Sequence, residues 1–475
     1  MSSIAGTAGA ALRWLAPAQE QRPIAFRQGR IVPLAEFWRH VCAIGADIAR
    51  SGARADASML NLCEDRYRFL AAYAAALRAG HRVLLPPSRA EQVVAEVAAA
   101  HPGSYRCDDA FVERALREFA DGAAGAIEPE QIDAQRTVMI GITSGSTGQP
   151  QSYPKQWGSL HATTARNVQA IRAALDVVRA RAPGGADSAA PRASSHAAAE
   201  AARIWVLATV PAQHMYGMEM SVLLPLIGGM AVHSGRPLFS SDIARALQDL
   251  PQPRVLVSTP VHLRSMIESG LAFPETPLIV SATAPLDRAL AREVERRLGG
   301  VLLELFGSTE TCVFASRRTA VEDAWQPYEG VRLEPRTDGT LIDAPWFATP
   351  VLLQDVIELR QQGGFTVRGR NTDMIEVAGK RASLADLTRR MLAIDGVRDA
   401  VLFQPDRESV ATVRRVAALV VAPGMQPREI LERLAASVDA AFLPRPLVIV
   451  DALPRNEVGK LPRERLLRAL RERHA

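Results

Sequence analysis

The chain has 475 residues, a formal net charge of +5, and 48% hydrophobic and 23% charged residues. It is too long for one small domain, and its average composition suits a soluble globular protein with a sizeable core. So small a charge excess, spread along the sequence, implies neither a nucleic-acid-binding surface nor an acidic tail.

The first dozen residues read as unstructured, and the N-terminus lacks the basic segment and long apolar run of a secretory signal. Cys42, Cys63, Cys107 and Cys312 stand apart without CxxC spacing, which suits reduced thiols and argues against a disulfide framework or zinc site. Strands are expected at 137–143 (TVMIGIT), 205–211, 254–260, 277–282 and 301–307, with amphipathic helices over 261–269 and 286–299. Residues 182–202, rich in Ala, Ser, Gly and Pro, read as a mobile surface insertion. The longest apolar stretch, 220–232, is broken by Pro225 and two glycines and is too short to span a bilayer. No membrane partner and a cytoplasmic location are expected. From about Arg370 the pattern restarts on a smaller scale: a helix at 383–393, strands at 400–404 and 415–422, a helix at 427–441 and a strand at 446–450.

Strands alternating with helices give an α/β fold class. The expected organisation is a large N-terminal domain, 1–368, with mixed, largely parallel sheets flanked by helices, plus a small mobile α+β C-terminal domain, 369–475.

The strand at 137–143 runs into Thr143, Ser144, Gly145, Ser146, Thr147 and Gly148. Backbone N–H groups and hydroxyls with little side-chain bulk are the local chemistry that grips phosphate oxygens. A Walker loop needs Lys after its last glycine, whereas Gly148 is followed by Gln149 and Pro150, so a P-loop NTPase is disfavoured. A Gly/Ser surface turn is the bland alternative.

Five blocks in order decide between them: TSGSTGQP (143–150), FGSTE (306–310), LLQDVIEL (352–359), GRNTDMIEVAGKR (369–381) and PRNEVGKLPR (454–463). Together they resemble the signatures of the adenylate-forming (AMP-binding) superfamily, of the acyl- and aryl-CoA synthetase type, from about residue 25 to the end. The resemblance implies ATP-dependent activation of an aryl or fatty acyl carboxylic acid as acyl-AMP with release of pyrophosphate. Transfer to the thiol of CoA or of a carrier-protein phosphopantetheine would follow.

Bringing one anion to another requires cations and oriented donors where charge accumulates. The resemblance implies that residues 143–148 hold the β- and γ-phosphates, Thr309 bonds the α-phosphate and Glu310 holds Mg²⁺. With Gly307 and Ser308, Phe306 belongs to the same block, and its ring would stack on adenine; in isolation it reads equally as a core Phe ending a strand. Asp355 would accept both ribose hydroxyls, with Arg370 beside the same sugar. Lys460, in the late block, would insert its ammonium between carboxylate and α-phosphate. His214, within PAQHMYGME (211–219), would lie beside the acyl pocket, walled by Met215, Tyr216, Gly217 and Met218. Ser281, Ala282 and Thr283 of SATAPL occupy the adenine and acyl strand. There the family carries two glycines where this chain has Ala282 and Thr283, so a shorter or differently angled slot is expected.

The chain departs from the family at two further places. Gln151 stands where most relatives carry Lys, and Lys155, four residues on, is expected to supply the displaced charge. Thr372 occupies the hinge position, usually Asp or Lys; any backbone able to change φ/ψ can serve there. The pattern PxxHMYGxE and the Lys155–Trp157 element also resemble stand-alone ligases of aryl-polyene-like pathways, which implies an acyl carrier protein as an alternative partner to CoA. Two other readings compete: a catalytically silent nucleotide-binding regulatory relative, and adenylation without thioester formation.

Overall fold

The computed structural model describes residues 11–16, 20–119, 127, 131–144, 150–181, 204–370, 374–377, 380–405, 415–456 and 459–472. The expected insertion at 182–202 lies outside them. The chain divides into two compact units. One comprises Met1–Asp323, Tyr328–Gly330 and Pro345–Ala348, and the other Ala324–Pro327, Val331–Ala344 and Thr349–Ala475.

The first unit is built on two sheets. In one, Tyr105–Cys107, Ser58–Asn61, Arg82–Leu85 and Thr137–Ser144 lie parallel, and Pro150–Gln156 closes the edge antiparallel to Thr137–Ser144. In the other, Val301–Ser308, Leu278–Ser281, Arg254–Ser258, Trp205–Ala208, Ala231–His233 and Pro23–Arg27 are neighbours in that order and all parallel. Cys312–Arg317 and Arg30–Pro33 flank them antiparallel. Parallel strands are covered on both faces, which is why these segments read as unbroken apolar runs. Leu207, Leu256, Ile279 and Leu302 stand side by side in register and are fully buried against Leu290, Ala291, Val294 and Leu298 of the helix Arg288–Leu298. Each such aliphatic side chain stabilises the fold by about 1.5–3 kcal/mol. The helix starts where the Asp287 carboxylate accepts from the Leu290 N–H and stops at Gly299, whose φ of +71° suits glycine.

In the second unit, Asp399–Phe403, Ala417–Val421 and Leu447–Ile449 form a sheet. Its alternating side chains serve two cores: Ala418 and Val420 meet Met391 and Leu434 on one face, while Ala417, Leu419 and Val421 meet Leu466 and Leu470 on the other. Two expectations need correction. The helix expected over 427–441 ends at Ala435, because the Asp439 carboxylate caps a separate turn, Ala440–Phe442, by accepting from the Ala441 N–H. Within the first dozen residues, Ala11 and Leu12 belong to a strand, Ala11–Arg13, paired with Gln131–Asp133. Among the described residues no helix is long and apolar enough to cross a membrane.

Candidate active site

The parallel strands of the larger sheet deliver Thr309, Thr283 and the His214 segment to one edge, at their C-terminal ends, where ligands bind in open α/β sheets. Strands Val301–Ser308 and Cys312–Arg317 form a hairpin around Thr309, Glu310 and Thr311. Hydroxyls close it: the Ser308 N–H donates to Thr311 Oγ1 at 3.1 Å, the Thr311 N–H donates to Ser308 Oγ at 3.3 Å, and the two hydroxyls lie 3.0 Å apart. The strand bulges at Phe306/Gly307, where a side chain on Gly307 would meet the Cys312 carbonyl oxygen at 2.2 Å. The Phe306 ring packs edge to face on Phe314, with centroids 5.3 Å apart.

This hairpin meets the strand that feeds the Gly/Ser loop. A Cβ placed on Gly141 would lie 2.8 Å from the Thr309 methyl, so only glycine allows that approach. Thr143 and Gln151 are cross-strand partners, and Gln151, Tyr153 and Lys155 share one strand face. The Tyr153 hydroxyl donates to Gln151 Oε1 at 2.6 Å. Burial pushes the Tyr153 phenol upward, the negative charge of Glu310 adds to this, and a hydrogen bond with Thr143 opposes it. Thr143, Thr309 and Glu310 therefore converge around Tyr153. Ser144 ends the strand, while Gly145, Ser146, Thr147 and Gly148 lie outside the described residues.

No cluster of three His, Cys, Asp or Glu side chains that could hold a metal exists among the described residues. The Glu310 carboxylate beside the strand into the Gly/Ser loop fits a hard ion that takes phosphate and water oxygens for the rest of its shell, as Mg²⁺ does.

The structure places Lys155 opposite Met139, about 13 Å down the strand from Gln151 at 3.3 Å per residue. The residue is only 5% exposed, and its ammonium donates to the Glu310 carbonyl at 2.7 Å. Nearby, Glu219 accepts from the Val313 N–H at 3.1 and 3.2 Å and from Asn167 Nδ2 at 3.1 Å, and Asn167 Oδ1 accepts from the Tyr328 hydroxyl at 2.9 Å. Burial pushes the Glu219 carboxyl up to about 7 against these donors and the Lys155 charge. Sequence reasoning missed Glu219 and Asn167. The signal was a lone carboxylate inside an apolar run, MYGMEMSVLLPL, where an ionisable group persists only if paired.

His214, expected beside the acyl pocket, precedes the helical turn Met215–Met218 and is half-buried. The buried Tyr216 hydroxyl donates to the Val280 carbonyl at 3.0 Å, tying this turn to the strand that ends in Ser281. Gly217 packs so closely that a Cβ would lie 1.9 Å from the Pro211 carbonyl oxygen. Among the described residues Ser281 Oγ and Gln213 Oε1 are buried with no hydrogen-bond partner, polar atoms that suit a ligand's polar groups. Thr283 retains a φ of +82°, a left-handed conformation rare for a β-branched residue. Ala282 is buried beside it.

Within the second unit, Asp355 and Arg370 are cross-strand partners in the hairpin Asp355–Leu359 and Phe365–Arg370. The Asp355 carbonyl accepts from the Thr340 hydroxyl at 2.7 Å, and the residue is 9% exposed. Lys460 sits in a tight loop. Its N–H donates to Asn456 Oδ1 at 2.8 Å, its carbonyl accepts from the Asn456 N–H at 2.8 Å, and Gly459 takes a φ of +79°. Arg455 fastens the loop to the sheet through Asp399, with its Nη2 2.8 Å from Oδ1, and donates to the Gly459 carbonyl at 2.9 Å. The expected hinge residue Thr372 lies outside the described residues.

A family profile described as AMP-binding enzyme matches residues 83–345, more than half of the chain. The chain belongs to the AMP-binding enzyme family. Among relatives of this AMP-binding enzyme, the 4-coumarate–CoA ligase of Rhodobacter capsulatus is 27% identical over 354 residues, 74% of this chain and 82% of its own length. A p-hydroxybenzoic acid–AMP ligase of Mycobacterium tuberculosis is 27% identical over 289 residues, 52% of this chain and 40% of its own. ATP-bound MatB from Rhodopseudomonas palustris shares the fold of the AMP-binding enzyme at a TM-score of 0.75 and 17% identity, covering 96% of this chain and 97% of its own. The o-succinylbenzoate coenzyme A synthetase (MenE) of Bacillus subtilis, in complex with AMP, does so at 0.74 and 17%, covering 94% and 95%.

Proposed function

We propose that this AMP-binding enzyme activates an aromatic carboxylic acid: its carboxylate oxygen attacks the α-phosphorus of ATP, the bond to the β-phosphate oxygen breaks, and pyrophosphate leaves. The acyl adenylate then passes its acyl group to a thiol, for which CoA is the proposed acceptor. The observation that carries the reading is the close meeting of the strand into the Gly/Ser loop and the Thr309 turn at Gly141, with Glu310 beside Tyr153. The ligase names of the relatives support the aromatic acid and CoA.

In this reading Thr143 and residues 144–148 hold the β- and γ-phosphates, Thr309 donates to the α-phosphate, and Phe306, Gly307, Ser308, Ser281, Ala282 and Thr283 frame adenine and the acyl group. Asp355 accepts the ribose hydroxyls beside Arg370, and His214 flanks the carboxylate. Glu310 would hold Mg²⁺, which supplies positive charge to the phosphate oxygens. The Lys460 ammonium lowers the repulsion between carboxylate and α-phosphate as the new bond forms. Residues 369–475 act as the moving part, hinged near Thr372, and the reaction takes place in the cytoplasm.

Pyrophosphate exchange into ATP, driven by a panel of benzoates, cinnamates and medium-chain fatty acids, tests the reading. Exchange with aromatic acids is expected, followed by thioester formation on adding CoA. Exchange with none of the acids would favour a silent nucleotide-binding protein. Exchange without a thioester, with CoA or with a phosphopantetheinylated carrier protein, would leave an adenylating enzyme alone.

A further inference from the structure

The segment from Glu310 to Val313 is gripped at both ends by buried groups of opposite character. At one end an ammonium, Lys155 Nζ, takes the Glu310 carbonyl at 2.7 Å; at the other a carboxyl, Glu219, takes the Val313 N–H. Cation on carbonyl and carboxylate on amide is the favourable pairing at each pole of the peptide dipole. Between them Cys312 holds a φ of +58°, a conformation uncommon outside glycine that persists where its surroundings over-determine it. The Cys312 thiol, pushed up to about 12 by burial, hydrogen-bonds Lys155 and feels the charges of Glu219 and Glu310. Glu219 is 1% exposed and opens a π-helical turn, Glu219–Leu223, a type of bulge frequent at functional sites. Asn167, itself fastened by Tyr328, steers the carboxyl from the helix Trp157–Arg181. A buried charge without a partner is destabilising, so replacing either Lys155 or Glu219 alone is expected to cost stability.

We propose that Lys155 and Glu219 are positioning residues, a buried pair of opposite sign that fixes the Glu310–Val313 backbone and thereby aims the Glu310 carboxylate at the magnesium of Mg·ATP. The inference rests on the assignment of Glu310 above. It gives Lys155 a role other than the displaced phosphate-binding charge.

The test uses Lys155→Met, Lys155→Arg, Glu219→Gln and the milder Tyr328→Phe, which keeps the ring and removes only the hydroxyl bonded to Asn167. ATP binding is measured by calorimetry with and without Mg²⁺, and exchange of the Val313 amide by mass spectrometry. Outer-shell partners of metal ligands typically change metal affinity by about tenfold or more, so Lys155→Met and Glu219→Gln should each weaken Mg·ATP binding about tenfold while changing metal-free ATP binding by less than about threefold. Both should speed Val313 exchange, Lys155→Arg should recover part of the loss, and Tyr328→Phe should show the same pattern in smaller measure. Equal weakening of ATP with and without Mg²⁺ in Lys155→Met, with Glu219→Gln indistinguishable from wild type, would overturn the proposal. Unchanged Val313 exchange in both would do the same. Failure of the wild-type protein to bind ATP at all would refute the nucleotide reading, and the Val313 exchange rates would still judge the pair.

Discussion

Thr283→Gly is expected to leave the enzyme as stable as before or slightly more so, and to widen its choice of acid. At φ +82° a β-branched side chain sits in the left-handed region, which costs roughly 1–2 kcal/mol for a residue with a Cβ. Glycine removes that cost and loses about 0.5–1 kcal/mol to the extra freedom of its unfolded chain. The balance is about 0–1.5 kcal/mol in favour of the variant, a rise in melting temperature of no more than about 3 °C. At an extended-backbone position the same change would destabilise. Removing the Thr283 side chain beside buried Ala282 and Ser281 frees space worth one to two methylenes, each about 10- to 200-fold in discrimination. Thermal unfolding and pyrophosphate exchange with cinnamates against benzoates measure the two effects, with the longer acids expected to gain. A variant that melts several degrees lower with an unaltered acid ranking would refute both the strain argument and the placement of Thr283 at the acyl slot.

Three further expectations concern buried charge and the lysine loop. The Glu219 carboxyl, lifted by burial from its ordinary 4.5 to about 7, faces Lys155, Cys312 and Tyr328 as its titratable neighbours. Between pH 4.5 and about 7 the folded protein keeps a proton there that the unfolded chain has released; above that the carboxyl is charged in both states and stands opposite Lys155. Its stabilising contribution is therefore full below pH 4.5 and is lost as pH rises toward 7, in all about 3 kcal/mol. Urea unfolding at pH 5 and pH 8 should show wild type losing stability relative to Glu219→Gln by an amount of that order; parallel curves would refute it. Lys460→Ala should lower adenylation about 100- to 1,000-fold, the range seen when one charge-stabilising donor is lost, with ATP affinity largely spared. Arg455→Ala should cost under about 1 kcal/mol of stability, because its ion pair with Asp399 is partly solvent-exposed. It should nonetheless lower the adenylation rate by freeing the Lys460 loop, and a rate equal to wild type would remove Arg455 from that role.

What the sequence disclosed followed from periodicity. Runs such as RVLVS and VLLEL could only be strands covered on both faces, and the restart near Arg370 announced a smaller sheet whose alternation at Ala417–Val421 feeds two cores. The Thr309–Glu310 turn and the strand into the Gly/Ser loop were legible as motifs. That they touch at Gly141 was not, since a contact between residues 168 positions apart leaves no local trace. Lys155 read as a loop charge because it follows the loop closely in sequence, yet strand geometry carries it away from Gln151 and under the Glu310 carbonyl. Glu219 and Asn167 escaped notice because their partners, Val313 and Tyr328, lie on other elements.

The pairing of Lys155 with the Glu310–Val313 segment also constrains how this enzyme can be recombined with its relatives. The lysine travels with the smaller sheet, whereas its acceptor and the Glu219 counter-charge travel with the larger. A graft that exchanges only the larger sheet and its helices would strand one buried ion without its opposite, so a productive swap must carry positions 141, 155, 219 and 309–313 as one inheritance unit.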